Sequence, residues 1–262
     1  MSGRDFLVFR LAGAMGSWGD IAVGERRASW DIPSKSAILG LVAAGLGLDR
    51  EDAAAHQSLD RGLGFAVRQD AHGAAVNRSL RDYHTAQAPK ARKNARWRTR
   101  HDELAEASDD LSTILSERFY RLEIAVTIAL WRRSSEPGPD LARLEQGLKA
   151  PRFVPYLGRK SCPLSRPPRP HYIEADGLFA ALEAYDAREA DSDSTLRRWF
   201  PKPQSASPRP VWFEWGAGLT AEEAKVLERR QRRDGLTNRA LWQFTDRTEG
   251  RLDWPAPGGL TS

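Results

Sequence analysis

The sequence predicts an α+β fold whose first two thirds follow the order strand, helix, strand, strand, helix, strand. Three observations predict it. Residues 6–12 and 63–70 are short apolar runs typical of buried strands. Residues 119–131 alternate along the chain, so that their apolar side chains share one face of a strand. Segments 31–47 and 140–150 instead carry apolar residues at helical spacing.

The first strand, "FLVFRLA", is followed by a predicted loop, "GAMGSWGD", with three glycines and a tryptophan. The first helix follows Ser34, which is a suitable N-cap, and ends at Gly47. Its apolar stripe consists of Ile38, Leu41, Val42 and Leu46.

The second strand, "LGFAVRQD", is predicted to form a hairpin with residues 75–87 through the turn "AHG". Residues 86–117 then predict an exposed excursion from the sheet, because they have no clear apolar period. Within it, residues 89–101 ("PKARKNARWRTRH") hold six cations and no acid. Residues 102–110 hold five acids and no base.

The segment "YLGRKSCPLSRP" at 156–167 is predicted as a loop or short strand, and "GLFAALEAYDA" at 177–187 as a helix. Up to about residue 166 the order is βαββαβ, that of a ferredoxin-like (RRM-like) sheet. The last third predicts a linker, two strands ("VWFEWG" and "RALWQF") and, between them, a helix at 220–235 that begins with a capping box. We therefore expect a main domain at 1–185 and a small α/β extension at 186–262.

Composition narrows the classes of function. One cysteine excludes an intramolecular disulfide, and no Cys/His cluster has zinc spacing. No apolar run reaches the roughly 18 residues of a membrane span, and the N-terminal run is too short for a signal peptide. We expect a cytoplasmic protein without a cofactor or metal. Arginines make up 33 of the 40 cations and the formal charge is +5, which favours a nucleic-acid partner.

Three motifs have competing interpretations. Cys162 could be a nucleophile beside Arg159 and Lys160, or a small buried hydrophobe. His84 could be the base of a metal-independent ribonuclease with Tyr120 and Lys160, or a strand-end histidine that stacks on a base. The 89–101 run could neutralise phosphates while its tryptophan stacks on a base, or be a solvated charged loop. A P-loop is excluded, because no glycine precedes Lys35 in the required frame.

Four motifs together resemble the CasD family, the fifth class of Cas proteins in type I-E CRISPR Cascade complexes, within the RAMP superfamily. They are "LVFRLAGAMGSWGD", "PSKSAILGLVAAGLGLDRED", "LRDYHTAQ" and "PYLGRKSCPL", in the family's order, and they span residues 7 to about 166. Ala14 departs from the family's usual proline.

The resemblance implies a ferredoxin-like RAMP core with a long β-hairpin thumb at about 74–117. It implies a non-catalytic subunit that caps the Cascade backbone and holds the 5′ handle of the CRISPR RNA (crRNA), near the target DNA. The expected protein partners are the backbone subunit CasC and the large subunit CasA. Repeat cleavage belongs to CasE in type I-E, but relatives in subtype I-C cleave the repeat, so an endoribonuclease is the alternative. A protein-only adaptor is a third interpretation.

Candidate RNA contacts fall in three patches. The first is the loop Gly16–Gly19 with Arg26 and Arg27 after it, and the second is Lys35 and Ser36 at the helix start. The third joins Tyr83, His84 and the thumb cations to Arg159 and Lys160. The resemblance places the segment 156–167 on the RNA side: Gly158 would let the backbone approach a phosphate, Arg159, Lys160 and Ser161 would bind its oxygens, and Cys162 would pack beneath. The helix start would favour an anion. The candidate residues are Gly16, Ser17, Trp18, Gly19, Arg26, Arg27, Lys35, Ser36, Tyr83, His84, Lys90, Arg92, Lys93, Arg96, Trp97, Arg98, Arg100, Gly158, Arg159, Lys160 and Ser161.

Overall fold

A computed structural model of the chain describes residues 3–19, 22, 24–70, 78–89, 96–106, 111–133, 138–190, 209–238, 241 and 243–254. Its strands are β1 (Arg4–Gly16), β2 (Trp18–Gly19), β3 (Arg26–Arg27), β4 (Ser29–Trp30), β5 (Leu63–Gln69), β6 (Ser79–Pro89), β7 (Leu111–Arg132), β8 (His171–Ala175), β9 (Arg209–Glu214), β10 (Glu228–Asn238) and β11 (Gln243–Trp254). Its helices are α1 (Lys35–Leu46), α2 (Ala53–Gly62), α3 (Arg100–Glu106), α4 (Leu141–Lys149), α5 (Leu178–Ala190) and α6 (Thr220–Glu223).

One large sheet organises the described residues, with the strand order β10–β11–β9–β5–β7–β1–β8. The strands β3 and β6 also pair with β7, and β2 and β4 form a separate two-stranded sheet. Every pair in the large sheet is antiparallel except β3 with β7. The predicted mixture of helices with an antiparallel sheet is confirmed. The C-terminal strands continue the same sheet through β9 and β5, and the division into two domains stays a prediction.

Hydrophobic cores lie on both faces of this sheet, because successive strand residues point to opposite sides. In β1, Phe9 and Leu11 pack in the core that includes apolar residues of α1 and α4. The alternate residues Phe6 and Val8 pack in the core that includes the apolar face of α5. Because the middle of the sheet is buried on both sides, a functional surface is expected at the ends of β1 and β7.

The predicted limits of the first helix are confirmed. The hydroxyl oxygen of Ser34 accepts a hydrogen bond from the amide of Ala37 at 3.1 Å, which is an N-cap contact. Gly47 closes the helix in the left-handed conformation, with φ of 71°. Helix α2 was not predicted, and the predicted loop after residue 12 is wrong in part, because β1 continues to Gly16.

The predicted hairpin between 63–70 and 75–87 is wrong. Strand β6 pairs instead with β7, from Ser79 opposite Arg121 to Pro89 opposite Leu111. The physical reason is that β5 lies inside the sheet between β7 and β9, so it has no free edge for β6. The predicted irregular excursion at 86–117 therefore contains the end of β6, the helix α3 and the start of β7. We call β6 and the facing part of β7 the long hairpin.

The predicted helix at 220–235 is also wrong. Helix α6 ends at Glu223 and β10 begins at Glu228, where the sequence is rich in arginine. The predicted capping box is absent among the described contacts of α6, because Glu223 accepts from the amide of Gly216 at 2.7 Å. As a strand, β10 pairs with β11 and buries Arg232 and Asp234, which hydrogen-bond to Ile32 and Lys35, and that tertiary gain overrides helix propensity.

A buried ionic network joins the centre of the sheet to α5. Arg68 is fully buried, and its guanidinium donates to Asp70 at 2.7 Å and to Asp186 at 2.7 Å. Arg10 and Arg209 also form ion pairs with Asp70. We call these five residues the Arg68 network.

The network predicts an acid-dependent loss of stability. Burial opposes the charge on Asp70, but Arg68, Arg10 and Arg209 outweigh that cost and lower its pKa to about 2. Because this lies below the ordinary value of about 3.9, the stabilisation is complete above roughly pH 5 and is lost progressively as the pH falls to about 1. We expect this group to account for about 2–3 kcal/mol of unfolding free energy over that window.

Denaturant unfolding of the wild type and of Asp70→Asn at several pH values would measure this contribution. The variant should be less stable at neutral pH and should lose less stability between pH 4 and 2. Equal pH slopes for the two proteins would show that Asp70 does not titrate in this way.

Candidate nucleic-acid interface

The segment 156–163 forms a compact loop docked on the end of β1. A bridge pairs Tyr156 with Pro163, and the amide of Leu157 donates to the carbonyl of Cys162 at 2.8 Å. The amide of Ser17 donates to the carbonyl of Leu157 at 3.0 Å, which ties the loop to β1. The 156–163 loop, which carries Arg159 and Lys160 of the third predicted patch, and residues 16–19 of the first are therefore one structural unit.

Gly158 is required by this docking. Its φ is +83°, and a Cβ at this position would lie 1.8 Å from the carbonyl oxygen of Ser17. The close backbone approach that the sequence predicted is thus made to Ser17 of the same chain. Contact between the Gly158 backbone and a phosphate stays a prediction.

Cys162 packs beneath the loop, as predicted, and is fully buried. Burial raises the pKa of its thiol, so the neutral form is favoured at neutral pH. A buried neutral thiol is a poor nucleophile, which argues against the catalytic interpretation. Gly16 and Trp18 are also buried, and the Trp18 amide donates to the hydroxyl of Ser29 at 2.9 Å.

Arg159 lies over the ring of Tyr120, with its guanidinium carbon 4.7 Å from the ring centre. The register of the long hairpin pairs Leu80 with Tyr120 and His84 with Ser116, so Tyr120 and His84 lie on the same face. Arg118 shares that face, and β3 places Arg27 beside it. The loop and one face of the hairpin therefore form a continuous surface.

We call Arg27, Arg118, Arg159 and Lys160 the cationic strip. In the part of the chain that the structure describes, none of the four forms an ion pair. Neighbouring arginines differ, since Arg121 is paired with Asp31. Cations without an ion pair, on this face of the hairpin and on the adjoining loop, suit a phosphate backbone.

Tyr83 and His84 point to opposite faces of the hairpin, so the third predicted patch is divided. Tyr83 is 58% exposed and shares its face with Arg26, which lies 5.1 Å from the ring centre of Phe119. Of Tyr83 and His84, only His84 is on the face of the cationic strip.

The cations near the hairpin tip differ in whether they form an ion pair. Arg100 begins α3, pairs with Glu103 and donates to the carbonyl of Gln87. Arg96 and Arg98 are exposed and have no ion pair within the described ranges, and Trp97 is half-buried between them. Lys90, Arg92 and Lys93 lie outside the described residues.

The structure removes Lys35 from the predicted interface. Its side chain is 2% exposed, and its ammonium donates to the carbonyl of Asp60 at 2.7 Å and to Glu214 at 3.0 Å. Burial lowers the pKa of Lys35, although the carboxylates of Glu214 and Asp60 act in the opposite direction. The anion predicted at the helix start is the carboxylate of Asp234 in the same chain, which accepts a hydrogen bond from the Lys35 amide at 2.8 Å.

A cavity of about 620 Å³ opens beside the docked loop, between the start of α1, residues 154–158 and the β10–β11 pair. We call it the α1 cleft. Four predicted residues line it: Ser17, Gly19, Ser36 and Gly158. Sequence reasoning missed other lining residues, among them Trp30, Tyr156, Arg232, Arg233 and Phe244. A strand assignment for "ERRQRRDG" would have found the two arginines.

The ribonuclease alternative is not favoured by this geometry. His84 lies four residues along the hairpin from the position opposite Tyr120, which is roughly 13 Å at the usual strand rise. Tyr120 is 8% exposed beneath Arg159. These two side chains therefore do not form a base–acid pair around one phosphate. Among the described residues, no group of three or more His, Cys, Asp or Glu is placed to hold a metal ion.

Each described helix is too short or too polar to cross a bilayer.

Comparison with known proteins gives consistent results. Residues 6–242 match the family model for CRISPR-associated protein (Cas_Cas5). The CRISPR system Cascade subunit CasD of Escherichia coli (strain K12) is 36% identical over 168 residues, which are 63% of this chain and 69% of that protein. A chain of a CRISPR RNA-guided surveillance complex superposes with a TM-score of 0.56 at 20% identity, over 97% of this chain and 92% of that chain. A Cas protein crystal structure gives 0.54 at 21% identity, over 96% of both chains.

Proposed function

Because the chain belongs to the CRISPR-associated Cas5 family, we propose that it is a crRNA-binding subunit of a type I-E Cascade surveillance complex. Its role is to hold the 5′ handle of the crRNA at one end of the complex. The 36% identity to a Cascade subunit supports the assembly, and the cationic strip supports the RNA contact. The proposal includes a cytoplasmic location, where such RNA would be bound.

The single observation that carries the RNA contact is the continuity of the cationic strip with the docked loop. Arg159 is fixed on Tyr120 and lies next to Gly158, which lines the α1 cleft. Arg118 and His84 extend the same face along the hairpin. Single-stranded RNA would follow such a path by phosphate contacts, while its bases could turn into the cleft.

The fold assignment is part of the proposal. The strands β1, β5, β7 and β8 stand in the spatial order β5–β7–β1–β8, and each adjacent pair is antiparallel. We infer that they are the ferredoxin-like RAMP core and that the long hairpin is the thumb. A thumb with exposed Arg96 and Arg98 would reach the RNA–DNA track and the backbone subunit CasC. Contact with CasA and target DNA completes the proposed set of partners.

We propose that the subunit does not cleave RNA. His84 would then serve as a contact on the strip rather than as a base. A binding and cleavage gel with labelled repeat RNA in chelator separates the possibilities, with a His84→Ala variant alongside. We expect intact, shifted RNA in both lanes. A discrete product that disappears in the variant would establish the endoribonuclease alternative.

The contribution of the strip can be measured as a salt dependence. The double variant Arg159→Ala/Lys160→Ala should bind the handle RNA more weakly. The slope of log affinity against log salt should fall by roughly 1.4 if each side chain contacts one phosphate of a single strand. A matched control removes two exposed cations from α4, Arg143→Ala/Lys149→Ala, and should change neither quantity. Unchanged RNA affinity together with failed complex assembly would favour the protein-only adaptor.

A further inference from the structure

One glycine in the α1 cleft has no explanation within the described chain. Gly40 lies in the interior of α1 and lines the cleft, and a Cβ added there would meet no atom within 4 Å. Glycine weakens a helix interior relative to alanine. Gly45 on the same helix differs, because its Cβ would lie 2.7 Å from the carbonyl of Gly147 on α4. Packing therefore explains Gly45, and empty space adjoins Gly40.

The walls around that space combine aromatic, hydroxyl and cationic groups. Trp30, Tyr156 and Phe244 supply rings from three different parts of the chain, and Tyr156 is 40% exposed. Ser17 and Ser36 add hydroxyl groups. This is the chemistry that binds an unstacked nucleobase and its phosphate.

Two arginines of β10 supply donors that the described chain leaves unused. Arg233 is exposed on the cleft wall, with no ion pair inside the described ranges. Arg232 is 1% exposed and donates through Nη2 to the carbonyl of Ile32, whereas its Nε and Nη1 have no hydrogen-bond partner among the described residues. The nearest carboxylate oxygens, on Asp234 and Glu249, are 3.8 Å away from those nitrogens.

The carboxylate of Asp234 does not make the cleft repel an anion. It is held by two hydrogen bonds from Arg247, at 2.8 and 2.9 Å, and by the amide of Lys35. Its charge is thus compensated within the chain. The volume of about 620 Å³ lies within the range of roughly 300–1,000 Å³ that is usual for small-ligand sites.

We propose that the α1 cleft holds one unstacked nucleotide of the bound RNA, with its base between the aromatic walls and its phosphate on Arg233. The inference rests on the proposed function and extends it. It makes the C-terminal pair β10–β11 one wall of the RNA site. It also gives Gly40 a role, since a side chain there would fill the space that the base needs.

The test combines a filled cleft with RNAs that lack single bases. Affinities of the wild type and of Gly40→Leu are measured by fluorescence anisotropy for a repeat-derived single-stranded RNA. A series of the same RNA carries one abasic site at each handle position in turn. For the wild type we expect about tenfold weaker binding at one abasic position, which is the usual effect of losing one stacked base.

Gly40→Leu should bind the intact RNA about tenfold more weakly and should show no further loss at that abasic position, because both changes remove the same contact. Ala54→Leu, on an exposed site of α2, controls for an added leucine and should behave as the wild type. Gly19→Leu fills the same cleft from β2 and replaces the first variant if α1 does not tolerate leucine.

The outcomes separate this inference from the proposed function. If no RNA binds to the wild type, the proposed function fails and the inference fails with it. If RNA binds and Gly40→Leu keeps both the affinity and the abasic pattern of the wild type, only the nucleotide site is overturned. If the variant binds RNA normally but no longer assembles with other Cascade subunits, the cleft takes protein, and the nucleotide site is again overturned. Val154, 82% exposed beside the cleft, would then be part of that contact.

Discussion

Replacement of Gly158 by alanine is expected to detach the 156–163 loop from β1. The left-handed backbone and the 1.8 Å approach of a Cβ to the Ser17 carbonyl cannot both be kept. Backbone strain of this kind alone costs about 1–3 kcal/mol, and the clash adds to it. We expect a loss of at least about 2 kcal/mol in unfolding free energy and, because Arg159 leaves Tyr120, about tenfold weaker RNA binding.

A second glycine provides the matched control for this prediction. Gly216 has a similar φ of +74°, but a Cβ there would meet nothing within 4 Å. Gly216→Ala should therefore show only the conformational cost, about 1 kcal/mol, and normal RNA affinity. Thermal unfolding and anisotropy titrations of both variants give the two quantities. Equal losses in the two variants would mean that contact with Ser17 is not the reason for glycine at position 158.

Replacement of Arg68 by methionine is expected to destabilise the whole fold. The change leaves two carboxylates, Asp70 and Asp186, without their shared buried partner. Removing one member of a buried ion pair costs about 3–5 kcal/mol. For a chain of this size, that corresponds to a fall of roughly 10 °C in Tm.

An exposed pair on the hairpin base is the control for burial. Arg78 and Glu123 lie 2.9 Å apart, and both side chains are 54% exposed. Arg78→Met should cost less than about 1 kcal/mol, because solvent already screens this pair. Denaturant unfolding of both variants at neutral pH measures the difference. A small effect at Arg68 would show that Arg10 and Arg209 suffice to compensate the two acids.

The Arg68 network and the Lys35 contacts have a common consequence for the molecule. Both join elements that are far apart in sequence: Arg68 to Asp186, and Lys35 to Glu214 and Asp234. The second set anchors the C-terminal strands to the start of α1. The α1 cleft therefore has walls from the N-terminal and C-terminal parts of the chain, and its shape depends on the buried charges of Lys35, Glu214 and Asp234.

The sequence by itself determined the local elements and the family. Ser34 and Gly47 marked the limits of α1, a short apolar run marked β5 and apolar alternation marked the centre of β7, because these signals act between near neighbours. The four motifs carried the family resemblance. The sequence also offered a loop or short strand at 156–167 and, as one of two interpretations, a buried Cys162, and the structure has the loop and the burial.

Only the tertiary structure decided which strands pair and which charges are buried. The sequence predicted β5 as the partner of β6, but that edge of β5 is paired with β9, which is more than a hundred residues away in sequence. Local sequence predicted a helix for "ERRQRRDG", since nothing local shows that Arg232 and Asp234 are buried by contacts with Ile32 and Lys35. Strand pairing and charge burial are contacts between distant residues, so their free energy is absent from any short window of sequence.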